Sequence, residues 1–88
     1  MDGPKIKELI LDVLKPLTPP LPAFATFLAE LPGVESVEVI LVEKDNRTES
    51  LEVILKGRDI SYDGVKEHIG KQGAVIHCID KVSVQTEG

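Results

Sequence analysis

A two-layer α+β domain with the element order βαββαβ is what this sequence predicts, and three observations carry the prediction. Two stretches, Ile6 to Val42 and Leu51 to Val84, each read as a strand, a helix ended by glycine, and another strand. A polar run, Asp45 to Glu49, joins the halves as a hairpin. Valine and isoleucine are plentiful while the aromatics are only Phe24, Phe27 and Tyr62, so an aliphatic core against a sheet is expected. With 88 residues the chain makes one domain, 1–88, with a core over about 6–84. Residues 85–88 carry no periodicity and read as a tail.

The first strand runs from Ile6 to Lys15 and stops at Pro16. Leu9, Leu11 and Val13 fall on one side, and Ile10, Asp12 and Leu14 on the other. With both sides partly apolar, this strand belongs in the middle of a sheet. Four of the six prolines crowd the segment Pro16 to Pro22, a stiff connector whose PxxP spacing is more simply explained by punctuation than by partner docking. Helix one follows from about Pro22 to Leu31, with Phe24, Phe27, Leu28 and Leu31 on the sheet side. Its other side shows Ala25, Thr26 and Ala29, with Glu30 the one ionisable residue. Either helix propensity or close approach of another subunit accounts for that bareness.

Pro32-Gly33 ends the helix. Strand two spans about Val34 to Lys44, with Val37, Val39 and Leu41 inward and Glu38, Ile40, Val42 and Lys44 outward. A three-residue turn between Asp45 and Glu49 pairs Ile40 with Ile54 and Glu38 with Lys56, and returns Leu51, Val53 and Leu55 inward. Ser61 is a suitable N-cap for helix two, Ile60 and Val65 can staple across it, and Tyr62, Val65 and Ile69 form its buried stripe. Gly73 closes that helix, and strand four runs from Ala74 to Val84. Right-handed crossovers then give an antiparallel four-stranded sheet in the order 4-1-3-2 with both helices on one face, the ferredoxin-like fold. The opposite face would carry Ile10, Leu14, Ile40, Val42 and Ile54 among charged residues, an apolar patch that self-association would cover.

Composition narrows the function. A net charge of −5 and a pI near 4.9 leave no basic stripe for nucleic acid or for an anionic membrane surface. The single cysteine, Cys78, cannot close an internal disulfide; with no signal-type apolar segment near the start, a reducing, cytoplasmic setting is expected.

The runs Leu-Asp-Val-Leu-Lys-Pro (Leu11 to Pro16), Leu-Val-Glu-Lys-Asp (Leu41 to Asp45) and Ile-His-Cys-Ile-Asp-Lys-Val (Ile76 to Val82) resemble the archaeal family catalogued as domain of unknown function 211, over roughly Ile6 to Val84. The resemblance implies a ferredoxin-like subunit that assembles into a closed cyclic homo-oligomer, a seven-membered ring being one such form, and it implies no activity. It singles out Asp12, Lys15, Pro16, His77 and Asp80. Leu17-Thr18 stands where that family is expected to carry a His-Glu pair.

Candidate chemistry is sparse. Gly33 to Val39 also resembles heavy-metal-associated domains, but the connector Pro16 to Pro22 lacks their CxxC, which excludes copper carriage. Asp12 on a central strand needs a partner, and His77 on the neighbouring strand is within reach, as a structural pair or as a divalent-cation ligand. Asp45 with Glu49 in the hairpin could likewise gather a hard cation, as could Asp12 with Glu38 and Glu52. His77 and Cys78 are adjacent on a strand and should point to opposite faces, and His68 reads as a surface residue. No GxSxG, phosphate loop or HExxH is present, so a non-enzymatic role without an obligatory cofactor is expected. The leading expectation is a self-assembling module with Ile10, Leu14, Ile40, Val42, Ile54, Ala25 and Ala29 at its interfaces. The alternative is a regulatory protein resembling ACT domains, which would bind a small ligand or a divalent cation.

Overall fold

The computed structural model describes residues 3–86 and shows the expected chain path: β1 (Pro4–Pro16), α1 (Leu21–Ala29), β2 (Val34–Lys44), β3 (Thr48–Gly57), α2 (Tyr62–Lys71) and β4 (Val75–Thr86). The four strands form one antiparallel sheet in the order β2-β3-β1-β4, the predicted arrangement read from the other edge. Alternation along the central strands decides the core. Leu9, Leu11 and Val13 of β1 and Leu51, Val53 and Leu55 of β3 are buried against Phe24 and Leu28 of α1 and Val65 and Ile69 of α2. Both helices therefore lie on one face. Among the described residues no helix is long and apolar enough to cross a membrane.

Local signals account for the boundaries. The Ser61 hydroxyl accepts a 3.1 Å hydrogen bond from the Gly64 amide and caps α2, with Ile60 and Val65 both buried across the cap. Gly33 and Gly73, with φ of +85° and +77°, take the left-handed conformation after α1 and α2. Gly33 has a second constraint: its carbonyl accepts from the Arg58 amide at 2.9 Å, which seats the α1–β2 turn directly on the end of β3. Gln85 and Thr86, expected in a tail, pair with Lys5 and Pro4 and so extend β4; Glu87 and Gly88 lie outside the described residues.

The strands outrun the helices, and it is edge position in the sheet that explains a departure from the expected burial. At about 3.3 Å per residue the 13 residues of β1 span about 43 Å, whereas the 9 and 10 residues of the helices span only about 15 Å. The molecule is correspondingly 49 Å long and 22 Å wide. Leu41, expected inward, shares the helix side with its fully buried partner Leu51, but it lies on the edge strand β2 and is exposed. Ile79 and Val82, on the other edge strand, are likewise exposed although the Leu11 and Leu9 opposite them are buried.

Bulges change the predicted register. The β2–β3 hairpin closes more tightly than expected, with Lys44 opposite Glu49 and the Asp45 amide bonded to the Thr48 carbonyl at 3.0 Å. That shift alone would turn every side chain of β2 to the wrong face. An irregularity between Leu41 and Glu43 inserts Val42 as an extra residue and restores the parity, so Ile40 faces Glu52 and Glu38 faces Ile54 instead of the expected Ile54 and Lys56. Beyond the bulge the faces are exchanged: Lys44, expected outward, reaches Glu49 on the helix side.

Candidate functional site

The positions singled out in the sequence fall into two clusters on opposite sides of β1. The first is built on parity: residue 15 follows Leu9, Leu11 and Val13 inward, so the Lys15 side chain enters the protein and is 0% exposed. Its ammonium meets the carbonyls of the proline connector, donating to Pro16 at 2.7 Å, to Leu17 at 3.3 Å and to Pro19. Opposite it on β3, Glu49 Oε1 pairs with Lys15 Nζ at 2.9 Å, and Lys44 approaches the other oxygen at 3.8 Å. Three N–H donors thus serve four acceptors. The Lys15 hydrogen bond, followed by the charges of Lys15 and Lys44, holds the Glu49 carboxyl below its ordinary range. This knot ties the connector to the sheet, and Pro16 is the residue that turns the chain into it.

Asp45 and Glu49, read as a candidate cation pair, each have protein partners of their own. Glu49 is committed to Lys15, and Asp45 Oδ1 accepts from the amides of Arg47 at 2.8 Å and Thr48 at 2.7 Å, which lowers its pKa and closes the hairpin from within.

The second cluster lies on the face away from the helices. Asp12 and His77 do meet, with Oδ2 and Nδ1 3.3 Å apart. Cys78 joins them, contrary to the expectation that adjacent strand residues face opposite ways. β4 is bulged between its pairings Asp12–Cys78 and Val13–Ile76, so His77 is an extra residue, and it comes to the same side as Cys78. Cys78 Sγ lies 3.7 Å from Asp12 Oδ2 and 3.3 Å from Asp80 Oδ1. Asp80 is itself the extra residue of another irregularity, between the pairings Ile10–Lys81 and Leu11–Ile79. The ligand atoms of Asp12, His77 and Cys78 all lie within 4.8 Å of one another. The hydrogen bond to Asp80, with desolvation and the charges of Asp80 and Asp12, pushes the Cys78 thiol up to about 11. That shift favours the protonated thiol at neutral pH.

Beside the cluster is a hollow of about 350 Å³ lined by Asp12, Leu14, Val42, Glu43, Ser50 and His77. A second depression adds Glu52 and Asp80 around the same Asp12. Of the residues expected at interfaces, Leu14, Ile40, Val42 and Ala29 are exposed, while Ile10, Ile54 and Ala25 are half-buried. Val75, opposite Leu14, extends the apolar part of this face. His68 is not the plain surface residue expected: its ring stacks on Phe27 at a centroid distance of 4.5 Å, between α2 and α1.

The comparisons agree with the resemblance in the sequence. The profile of the DUF211 family, described as uncharacterised ArCR, matches residues 7–87. An uncharacterised protein of Methanocaldococcus jannaschii is 34% identical over 77 residues, covering 88% of this chain and 79% of that protein. The inward Lys15, the Asp12–His77 pair and the ferredoxin-like sheet that holds them are therefore features of a chain that belongs to the DUF211 family.

Proposed function

We propose that this protein is a self-assembling, non-catalytic module whose helix-free sheet face meets the α1 face of another copy. The observation that carries the reading is the exposure on that sheet face of large aliphatic side chains, Leu14, Ile40, Val42 at 67% and Val75 at 58%, which a lone domain would leave in water. The complementary surface is α1, LPAFATFLA, which has no ionisable residue and places Ala25 half-buried and Ala29 exposed. Small side chains let a sheet approach closely. A contact between two unlike surfaces is head-to-tail, and copies joined that way close into a ring when the rotation per copy permits.

Several features support the absence of an enzymatic role. The Cys78 thiol is favoured in its protonated form, and the buried lysine is saturated by carbonyls and a carboxylate rather than presented to a cleft. Size-exclusion chromatography with light scattering tests the proposal. A discrete multimer at micromolar chain concentration is expected, reduced to smaller species by Ile40→Asp and equally by Ala29→Glu. A wild-type monomer would refute it.

A further inference from the structure

We infer that Asp12, His77 and Cys78 form a binding site for a zinc-class transition-metal ion on the helix-free face of the sheet. The argument is geometric. Zinc holds oxygen, nitrogen and sulfur donors at about 2.0 to 2.3 Å in a tetrahedron, so donor atoms sharing one ion sit about 3.3 to 3.8 Å apart. Asp12 Oδ2 stands 3.3 Å from His77 Nδ1 and 3.7 Å from Cys78 Sγ. Both separations match tetrahedral edges, and the three donors all lie within 4.8 Å.

The backbone supplies a second, independent observation. An ordinary strand would send His77 and Cys78 to opposite faces, and the irregularity at His77 is what brings both beside Asp12. Bulges on an edge strand blunt it against unwanted pairing. That role alone does not require an imidazole and a thiol beside the one carboxylate of β1 that faces outward between Ile10 and Leu14.

The donor set decides the metal. An imidazole nitrogen and a thiolate select zinc, cobalt and their borderline-soft neighbours over magnesium or calcium, which take oxygen ligands. On binding, the thiol proton passes to the buffer and the thiolate electron pair is shared with the metal, without redox change. Three protein ligands leave one position open, and it adjoins the hollow that also holds Leu14, Val42, Glu43 and Ser50. Asp80 Oδ1, 3.3 Å from Cys78 Sγ, is the positioning group behind the sulfur.

The site uses residues of one chain, so it stands whether or not the chain self-associates. The test is titration of the full-length, reduced protein with cobalt(II), a spectroscopic stand-in for zinc. One cobalt per chain is expected, with the intense visible bands of tetrahedral coordination and a near-ultraviolet thiolate-to-cobalt band, all displaced by zinc. Cys78→Ser should abolish the thiolate band. His77→Ala and Asp12→Asn should each weaken uptake by more than the ~10–100-fold that loss of an outer partner costs. Zinc should also protect wild-type Cys78 from alkylation, a readout needing no variant. Absence of stoichiometric uptake, pale six-coordinate cobalt spectra, a thiolate band surviving Cys78→Ser, or unprotected Cys78 would each overturn the assignment. Light scattering on the same samples reports assembly separately, so failure of the ring and failure of the metal site are distinguishable.

Discussion

Replacing Lys15 with methionine removes one ammonium and very little volume, and the structure sets what that should cost. The side chain is fully buried, and loss of its charge leaves the Glu49 carboxylate with only Lys44 at 3.8 Å and strands the carbonyls of Pro16, Leu17 and Pro19. Removing one partner of a buried ion pair costs about 3–5 kcal/mol, because the other charge stays desolvated. A chain of 88 residues has about 4–13 kcal/mol of stability in total, at ~0.05–0.15 kcal/mol per residue. Lys15→Met should therefore consume a large part of the margin. In a domain of this size each kcal/mol shifts the melting temperature by about 4–8 °C, so a fall of ~12 °C or more is expected. Urea unfolding at fixed chain concentration, followed by far-ultraviolet circular dichroism, measures the free energy directly. The double variant Lys15→Met/Glu49→Met removes both charges and should recover part of the loss, since an apolar replacement of a whole buried pair is often close to neutral. A fall below ~4 °C for the single variant, or a double variant that is simply the sum of its parts, would refute the claim that Lys15 and Glu49 act as one unit.

Other outcomes follow from the same structure. Glu49, Glu8 and Asp45 all have carboxyls held below their ordinary values, Glu8 through its 2.9 Å hydrogen-bonded pair with Lys81, so the unfolded chain binds more protons than the folded one in acid. Their contribution is complete above the ordinary glutamate value of 4.5 and is lost as pH falls through the lower folded values; melting temperatures should be flat from pH 7 to 5 and drop below about 4.5, and a decline already under way at pH 6 would contradict it. A Cβ on Gly57 would lie 1.9 Å from the Gly33 carbonyl oxygen, so Gly57→Ala should cost about 1–3 kcal/mol in urea unfolding, whereas Gly70→Ala, with open space around it, should gain about 0.5–1 kcal/mol from helix propensity. Equal effects at the two glycines would show that backbone proximity is not what selects Gly57. Val42→Lys places a charge at the rim of the exposed aliphatic patch and should shift the light-scattering mass toward the monomer without lowering the melting temperature of the monomer itself.

The parts of the fold that were legible are those written in period and punctuation. Leu9, Leu11 and Val13 alternate without interruption, Ser61 stands where an N-cap must, and Gly33 and Gly73 stand where left-handed residues must. Lys15 was legible in the same way, since it continues the inward series of β1, and Glu49 sits directly across from it. The place of Glu49 at the end of the polar hairpin run carries no mark of that pairing. For Leu41, alternation tells which side the residue faces, not whether a helix reaches far enough to cover it. The local sequence carries no reliable mark for the insertions at Val42, His77 and Asp80, because a bulge arises from the pairing of two strands.

Those insertions give the molecule its unlike surfaces. Without the one at Val42, the tight hairpin would turn the aliphatics of β2 outward and its glutamates toward the core; with it, the strand keeps its core face and the hairpin still delivers Lys44 to Glu49. At the opposite edge the irregularities at His77 and Asp80 gather polar groups around Asp12 on the helix-free face, while Ile79 and Val82 keep their places opposite Leu11 and Leu9. Straightening β4 by deleting His77 should therefore separate metal uptake from assembly at the level of the backbone. The strand would retain its pairing from Cys78 to Thr86, while the residues before it would move up by one and Ile76 would take the position next to Cys78. The deletion should abolish cobalt uptake yet leave the multimer formed through Ile40, Val42 and α1, and loss of both together would mean that the ring and the Asp12 cluster are a single structure.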